Sequence, residues 1–583
     1  MLESTFDWSA GMKGSFTWAD YLVFVGMLVA SMAIGIFYAI KSRNKANDEF
    51  LLGSRSLSCF PVSMSLLASY TSAVLILGGP SEAYYHGVQW WVTCTRSIAF
   101  LLSAVIFMPF FYELKLTSVY EYLELRYASR WIRCMAGGMF VIQTLLYQAV
   151  VIYAPALALA SVTDFPLWVS VIAVGVIASL YTAFGGMKTV VWTDVLQLFI
   201  LILGLIAVII KGLIGMGSFQ RVWEISVQHD RAGPQIFTYG YDLMERHTVA
   251  NIVISTIVRT LYRYSCTQTA VQRYVSMKSL THAYMSIFMM IPVTILLISL
   301  TMITGLVIFA TYEGCDPLAA GLITKKDQIL PFYVMDRLSS VPCLPGLFVA
   351  CIFSGALSTV SSGVNSQAAV TWEDAFANIP RFAKLTSTRQ ALFTKFLALG
   401  YGFLAVGLAF LAGNLGGVLQ AAIAVTSSVA GPLLAVFIMA LFMPFTNSKG
   451  ACSALVVGTA VALTFSFGAT ILGITPEILP TSTDACPANL TIPLPSDTHP
   501  VRVSDLRYPQ KIFGLSYTQL GPLGLVVGLV VGVLVSFLTG KSGGRRVERS
   551  MIHPWVRWSL PDPADVTART KANSYDNKMS TNF

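Results

Sequence analysis

The chain has 583 residues, 55% hydrophobic and only 11% charged, with a net charge of +9 and a mean hydropathy of +0.67. So little charge on so long a chain excludes a soluble globular protein. The nine cysteines and six histidines are scattered, with no CxxC, no metal-ligand spacing, no G-x-x-x-x-G-K-[ST] and no His, Cys or carboxylate constellation, which argues against a built-in ATP motor or an enzyme.

In chain order, residues 1–17 are read as an extracellular N-terminus. They lack the basic region and short apolar core of a cleaved signal peptide, so the first apolar run is expected to stay as an anchor. Thirteen spans are predicted, near 18–40, 56–79, 89–112, 134–160, 165–185, 190–215, 248–268, 283–311, 343–371, 395–413, 417–443, 450–473 and 517–539. This is an all-α polytopic membrane protein embedded in a lipid bilayer.

Basic loops orient it. KSRNK (41–45) follows span one, RYASRWIR (126–133) span three and RYVSMK (273–278) span seven. Arg381, Lys384, Arg389 and Lys395 follow span nine, and Lys541, Arg545 and Arg546 follow span thirteen. All fall on one side if the N-terminus is outside and the C-terminus inside. The glycosylation sequon at Asn489 then lies in an external loop, 474–516. That loop holds Cys486 and another external loop holds Cys315, either as a disulfide or as two free thiols. Residues 540–583 are expected to form a flexible cytoplasmic tail.

Three spans carry unusual polarity. Span two, PVSMSLLASYTSAVLILGGPSEAYYHG (61–87), is interrupted by Ser69 to Ser72 and reaches Gly78-Gly79-Pro80. Discontinuous helices of this kind expose backbone carbonyls within transporters; the alternative is a helix ended by proline, with incidental serines. Asp194, at the start of span six, is either a functional carboxylate or a helix-start acid on the N-terminal dipole. In span nine, Ser354, Ser358, Ser361 or Ser362, and Asn365 share one face. That stripe is either a small-residue packing seam or a set of neutral oxygens that binds a monovalent cation weakly enough to release it.

The chain resembles the sodium/solute symporter family, in the branch of the animal iodide, multivitamin and monocarboxylate symporters. LLGSRSLSCFPVSMSLLASYTSAVLILGGPSEAY (51–84), LTSVYEYLELRY (116–127), YAPALAL (153–159), YTAFGGMKTVVWTDVLQ (181–197), VQRYV (271–275), PGLFVACIFSGALSTVSSGVNS (345–366) and VTWED (370–374) carry the resemblance. It implies a leucine-transporter-type core of two inverted five-helix repeats, about 56–215 and 248–443, within a transmembrane domain of 18–539. It implies a sodium site with backbone oxygens from Ala68, Thr71 and Gly355 and hydroxyls from Ser358 and Thr359, with Ser69, Asp194 and Gln197 beside it. It implies a solute pocket of Tyr70, Ser72, Leu75, Cys94, Ser97, Tyr147, Thr260 and Gln268. Leu75, Ser97 and Thr260 depart from the iodide symporter, and Arg259 and Arg263 stand where relatives are uncharged; Arg96 is likewise unexpected. These departures argue against iodide. Snorkelling or an internal ion pair accounts for such arginines in general and fits Arg263, nearer the cytoplasmic end; Arg96 and Arg259 sit deeper, where each either grips a substrate carboxylate or stands in for a cation. The implied function is sodium-driven import of a small organic solute, such as a monocarboxylate or vitamin acid, across the plasma membrane. Sodium would be co-transported, with no organic cofactor and no nucleic-acid partner. The alternative is a solute sensor or channel-like protein on the same fold.

Overall fold

The structure is a computed structural model that describes residues 16–41, 53–162, 166–412, 418–474, 477–487, 501, 503–540 and 548–559. Asn489, the loop 42–45 and the basic residues 541–546 lie outside the described residues. The long helices are α1 (Trp18–Lys41), α2 (Cys59–Tyr70), α3 (Ala73–His86), α4 (Val88–Leu114), α5 (Arg130–Val162), α6 (Leu167–Leu180) and α7 (Gly186–Met216). They continue as α8 (Val249–Ser265), α9 (Gln268–Val275), α10 (Leu280–Thr311), α11 (Leu344–Val370), α12 (Ser387–Ala412), α13 (Val418–Phe442), α14 (Ser448–Ile471) and α15 (Leu520–Leu538).

Ten of the described helices are long and apolar enough to cross a membrane, or eleven if α2 and α3 form one bent span. Among the described residues each of the thirteen predicted segments is largely helical, but two fall short of that measure. α6 is a short apolar helix, parted from α7 at Gly186, whose positive φ (65°) stops helical geometry. α8 is 17 residues long and carries Arg259 and Arg263.

Two helix breaks organise the centre. Thr71 (φ −98°, ψ 83°) and Ser72 (φ −89°, ψ 171°) separate α2 from α3, which meet at 59°. Hydroxyl side chains in a row compete with the helix for its own backbone partners, so the Ser69–Ser72 patch is a natural place to break. The second break, at Cys266–Thr267, lies between α8 and α9, and the Thr267 hydroxyl caps α9 by accepting from Ala270 N. The breaks touch: Tyr70 Oη lies 2.7 Å from Thr267 Oγ1 and donates to Arg263 O at 3.0 Å.

α11 is the central pillar, with 25 of its 27 residues buried. Small residues permit this. A Cβ added at Gly355 would stand 2.9 Å from Ala73 N and 3.2 Å from Ser72 C, so α11 lies directly against the first break.

The interhelical contacts gather into two ends. At one, Leu57 pairs with Met277, Arg55 donates to Lys115 O, and Tyr112 donates to Met277 O. At the other, Cys315 and Cys486 form a disulfide, and Arg231 donates to the carbonyls of Tyr84, Leu479 and Pro480. The described basic loops belong to the first end, but three of their arginines are structural rather than solvated. Arg133 pairs with Asp374 (2.7 Å) and Glu124 (2.8 Å), Arg126 donates to Ala440 O and Met443 O, and Arg273 is buried in the core. Arg130, Lys278, Arg381, Lys384 and Arg389 remain exposed there.

The tail also departs from expectation. Its 548–559 portion packs on the bundle: Tyr122 donates to Met551 O, His553 N donates to Leu441 O, and Ile552 and His553 are buried.

Candidate functional site

The break at Thr71 leaves the carbonyls of Ala68 and Thr71 without a backbone hydrogen bond. Gly355 of α11 faces that break, and one turn on, Thr359 Oγ1 donates to Gly355 O at 3.0 Å. Two turns on, Ser362 Oγ lies 2.7 Å from Ser69 Oγ of α2. Ser358 stands between these two contacts, its hydroxyl buried and facing the Asp194 carboxylate.

Beside them Asp194 of α7 is fully buried. Its Oδ2 accepts from Ser65 (2.6 Å), Ser362 (3.3 Å) and, at 3.4 Å, Ser69, and pairs with Arg273 Nη2 at 3.2 Å. Asp194 Oδ1, Ser354 Oγ and both polar atoms of the Gln197 side chain make no hydrogen bond. A cluster of unpaired oxygens inside a bundle is costly unless a ligand satisfies it. Neutral hydroxyls and carbonyls with one nearby carboxylate suit a small hard cation. Asp194 is eight residues into α7, beyond the first helical turn, so the helix-dipole reading of this carboxylate fails.

Two cavities flank the breaks. One, of about 70 Å³, is lined by Leu67, Tyr70, Thr71, Ser72, Leu75, Trp90, Arg96, Tyr147, Arg259, Thr260 and Arg263, among others. The second is lined by Ser69, Gln143, Gln148, Thr269, Thr359 and Ser362, and shares Tyr70, Tyr147 and Arg263 with the first. Those three side chains form a partition. Tyr147 donates to Ser72 Oγ at 2.9 Å, and the Arg263 guanidinium lies 5.6 Å from the Tyr70 ring centre and 5.4 Å from that of Tyr147.

A polar cap covers the first cavity. Trp90, in its lining, stacks near His247 (5.2 Å between ring centres). Arg246 pairs with Glu82 at 2.9 Å and donates to Gln420, while Glu82 also meets His247 Nδ1 at 3.4 Å. Burial pushes His247 down to about 3. Its Nε2 lies 2.7 Å from Tyr517 Oη.

The sequence pattern of the sodium:solute symporter family matches residues 50–458. The chain belongs to the sodium:solute symporter family. This symporter is 37% identical over 541 residues to a sodium-coupled monocarboxylate transporter 2 of Bos taurus, covering 92% of this chain and 86% of the relative. It is 38% identical over 559 residues to a sodium-dependent multivitamin transporter of Oryctolagus cuniculus, covering 93% and 86%. Its fold is similar to that of a sodium-coupled sialic acid symporter, with a TM-score of 0.74 at 19% identity over 90% of this chain and 99% of that one. Sodium-coupled symport is therefore the activity, in a multi-pass membrane protein.

Within the symporter, Tyr70, Ser72, Leu75, Arg96, Tyr147, Arg259 and Thr260 line one cavity. Cys94 and Ser97 do not line it; Ser97 donates to Cys94 O at 2.9 Å. Gln268 sits elsewhere, accepting from Val119 N and donating to Thr117 O, so it braces the 117–119 backbone. Arg273 is the residue that charge patterning misassigned. Its neighbours in α9, Gln268, Thr269 and Gln272, are also polar and buried, and the polar positions of QTAVQR (268–273) were the available signal.

Proposed function

We propose that this symporter couples inward sodium movement to uptake of a small organic anion at the plasma membrane. Buried Arg259 carries the reading. It is 6% exposed, lines the cavity bordering the first helix break, and its Nη1 makes no hydrogen bond. An unpaired guanidinium inside a membrane domain is expensive, and its planar fork matches a carboxylate. Relatives named for monocarboxylate and multivitamin transport agree with an acid as solute.

Sodium would be held by the carbonyls of Ala68, Thr71 and Gly355 and the hydroxyls of Ser358 and Thr359, with Ser69, Asp194 and Gln197 next to it. The solute would bind among Tyr70, Ser72, Leu75, Tyr147, Thr260, Arg96 and Arg259. The broken pairs α2–α3 and α8–α9 would each open an inverted repeat, about 56–215 and 248–443. The N-terminus would face outward and the exposed basic loops inward, leaving Asn489 outside and available for glycosylation. Parting the Tyr70–Tyr147–Arg263 partition would pass the solute from the outer cavity to the inner one. Each ligand must favour the same state for the fluxes to couple.

Uptake of labelled carboxylates with and without a sodium gradient tests this. Arg259→Gln is expected to weaken anionic solutes strongly and neutral ones little, with Arg259→Lys a poor rescue. A well-expressed Arg259→Gln protein with unchanged solute selection would overturn it.

A further inference from the structure

We infer that the preferred solute is a dicarboxylate, a short organic acid with two anionic groups joined by an apolar middle, rather than a monocarboxylate. The inference rests on the reading of this cavity as the solute site. Three guanidiniums, Arg96, Arg259 and Arg263, line one cavity, and no carboxylate lines it. Among the described residues none of the three has an acidic partner within ion-pair distance.

The nearby acids are already engaged. Glu82 is held by Arg246 and His247, and Asp194 by Arg273. What the arginines do have is weak. Arg96 Nε donates to Thr93 O, Arg259 lies 5.9 Å from the Trp90 ring centre, and Arg263 lies between two tyrosine rings. Ring faces offset only part of the cost of a desolvated cation. The three charges also repel one another, so each anionic group that enters relieves both a lone fork and that repulsion.

A single carboxylate occupies one fork and leaves two unmatched. Two carboxylates match two. The spacer follows from the rest of the wall, where Leu67, Val74, Leu75, Leu419 and Ile423 supply hydrocarbon surface. A bare inorganic dianion would leave that surface uncovered, whereas a carbon chain between two carboxylates covers it.

The test uses acids of equal carbon count. Full-length protein is expressed in cells, and sodium-driven uptake of butyrate and succinate, and of pentanoate and glutarate, is compared at neutral pH. The dicarboxylate of each pair is expected to half-saturate at a concentration at least about tenfold lower. Arg259→Gln and Arg96→Gln should each collapse that ratio towards one. Thermal stabilisation of the purified native protein by succinate over butyrate gives a second readout that needs no variant. Sodium-driven uptake in which butyrate equals or betters succinate would overturn the dicarboxylate and leave the organic-anion symporter standing. No sodium-driven uptake of any carboxylate would overturn both. Sulfate competing as well as succinate would show that charge alone is read, and would overturn the spacer.

Discussion

Ser358 and Thr359 adjoin in the chain yet stand in different chemical positions. Thr359 Oγ1 is engaged with Gly355 O, while Ser358 Oγ is buried beside the Asp194 carboxylate. Ser358→Ala removes an oxygen that faces the Asp194 carboxylate, so sodium affinity should fall, with surface expression measured alongside to separate that loss from a folding defect. A loss of hydrogen-bond size, about 1–1.5 kcal/mol, corresponds to roughly tenfold in the sodium concentration for half-maximal uptake. Thr359→Ala should shift it similarly and also free the Gly355 carbonyl. Unchanged sodium dependence in both variants would return the stripe to a packing role. At this scale the hydroxyl face was legible because small polar residues without charge recur at helical spacing. Arg273 was not, since a basic residue near a span end reads as a loop charge until the fold shows Ser65, Ser69, Ser362 and Asp194 around it. Gln268 was misread for a related reason: polarity in a buried helix does not say whether it faces a cavity or the backbone of a neighbour.

Among the elements, the broken helix α2–α3 and the pillar α11 work as one unit, because the pillar lies against the break with no room for a side chain. Gly355→Ala would drive a methyl group to 2.9 Å from Ala73 N, a backbone atom that cannot step aside alone. Overpacking of this kind costs about 1–3 kcal/mol. Since one break borders both the expected cation ligands and the cavity, half-saturation for sodium and solute should rise together. Gly407→Ala on α12, where an added Cβ meets nothing within 4 Å, is the matched control and should leave both unchanged. A Gly355→Ala protein with wild-type constants for both ligands would separate the break from binding. The first break was readable in the run Ser69–Ser72. The second was not, because Ser265, Cys266 and Thr267 interrupt a segment already polar with Arg259 and Arg263, and no apolar rhythm was there to be interrupted.

For the whole molecule, the described basic loops sort to one end although three of the arginines counted are structural. Arg126, Arg133 and Arg273 sit at or near the same end as the exposed Arg130, Lys278, Arg381, Lys384 and Arg389, so burying them did not reverse the sign. The docking of residues 548–559 escaped the sequence reading because its contacts join groups far apart in the chain, Met551 O with Tyr122 and His553 with Leu441, Ile106, Phe110 and Phe442, which composition does not record. The arginine-lined cavity has an electrical consequence. An empty carrier that re-exposes this cavity from one face to the other moves fixed positive charge through part of the membrane field, worth about 2.3 kcal/mol per charge for each 100 mV crossed in full. Voltage steps applied without solute should therefore evoke transient capacitive currents that saturate at extreme potentials. Arg259→Gln should reduce the charge moved by up to one elementary charge per molecule, while leaving the number of carriers at the surface unchanged. Currents identical to wild type would mean that Arg259 stays fixed in the field throughout the cycle, and that the empty carrier returns without feeling the resting potential through this residue.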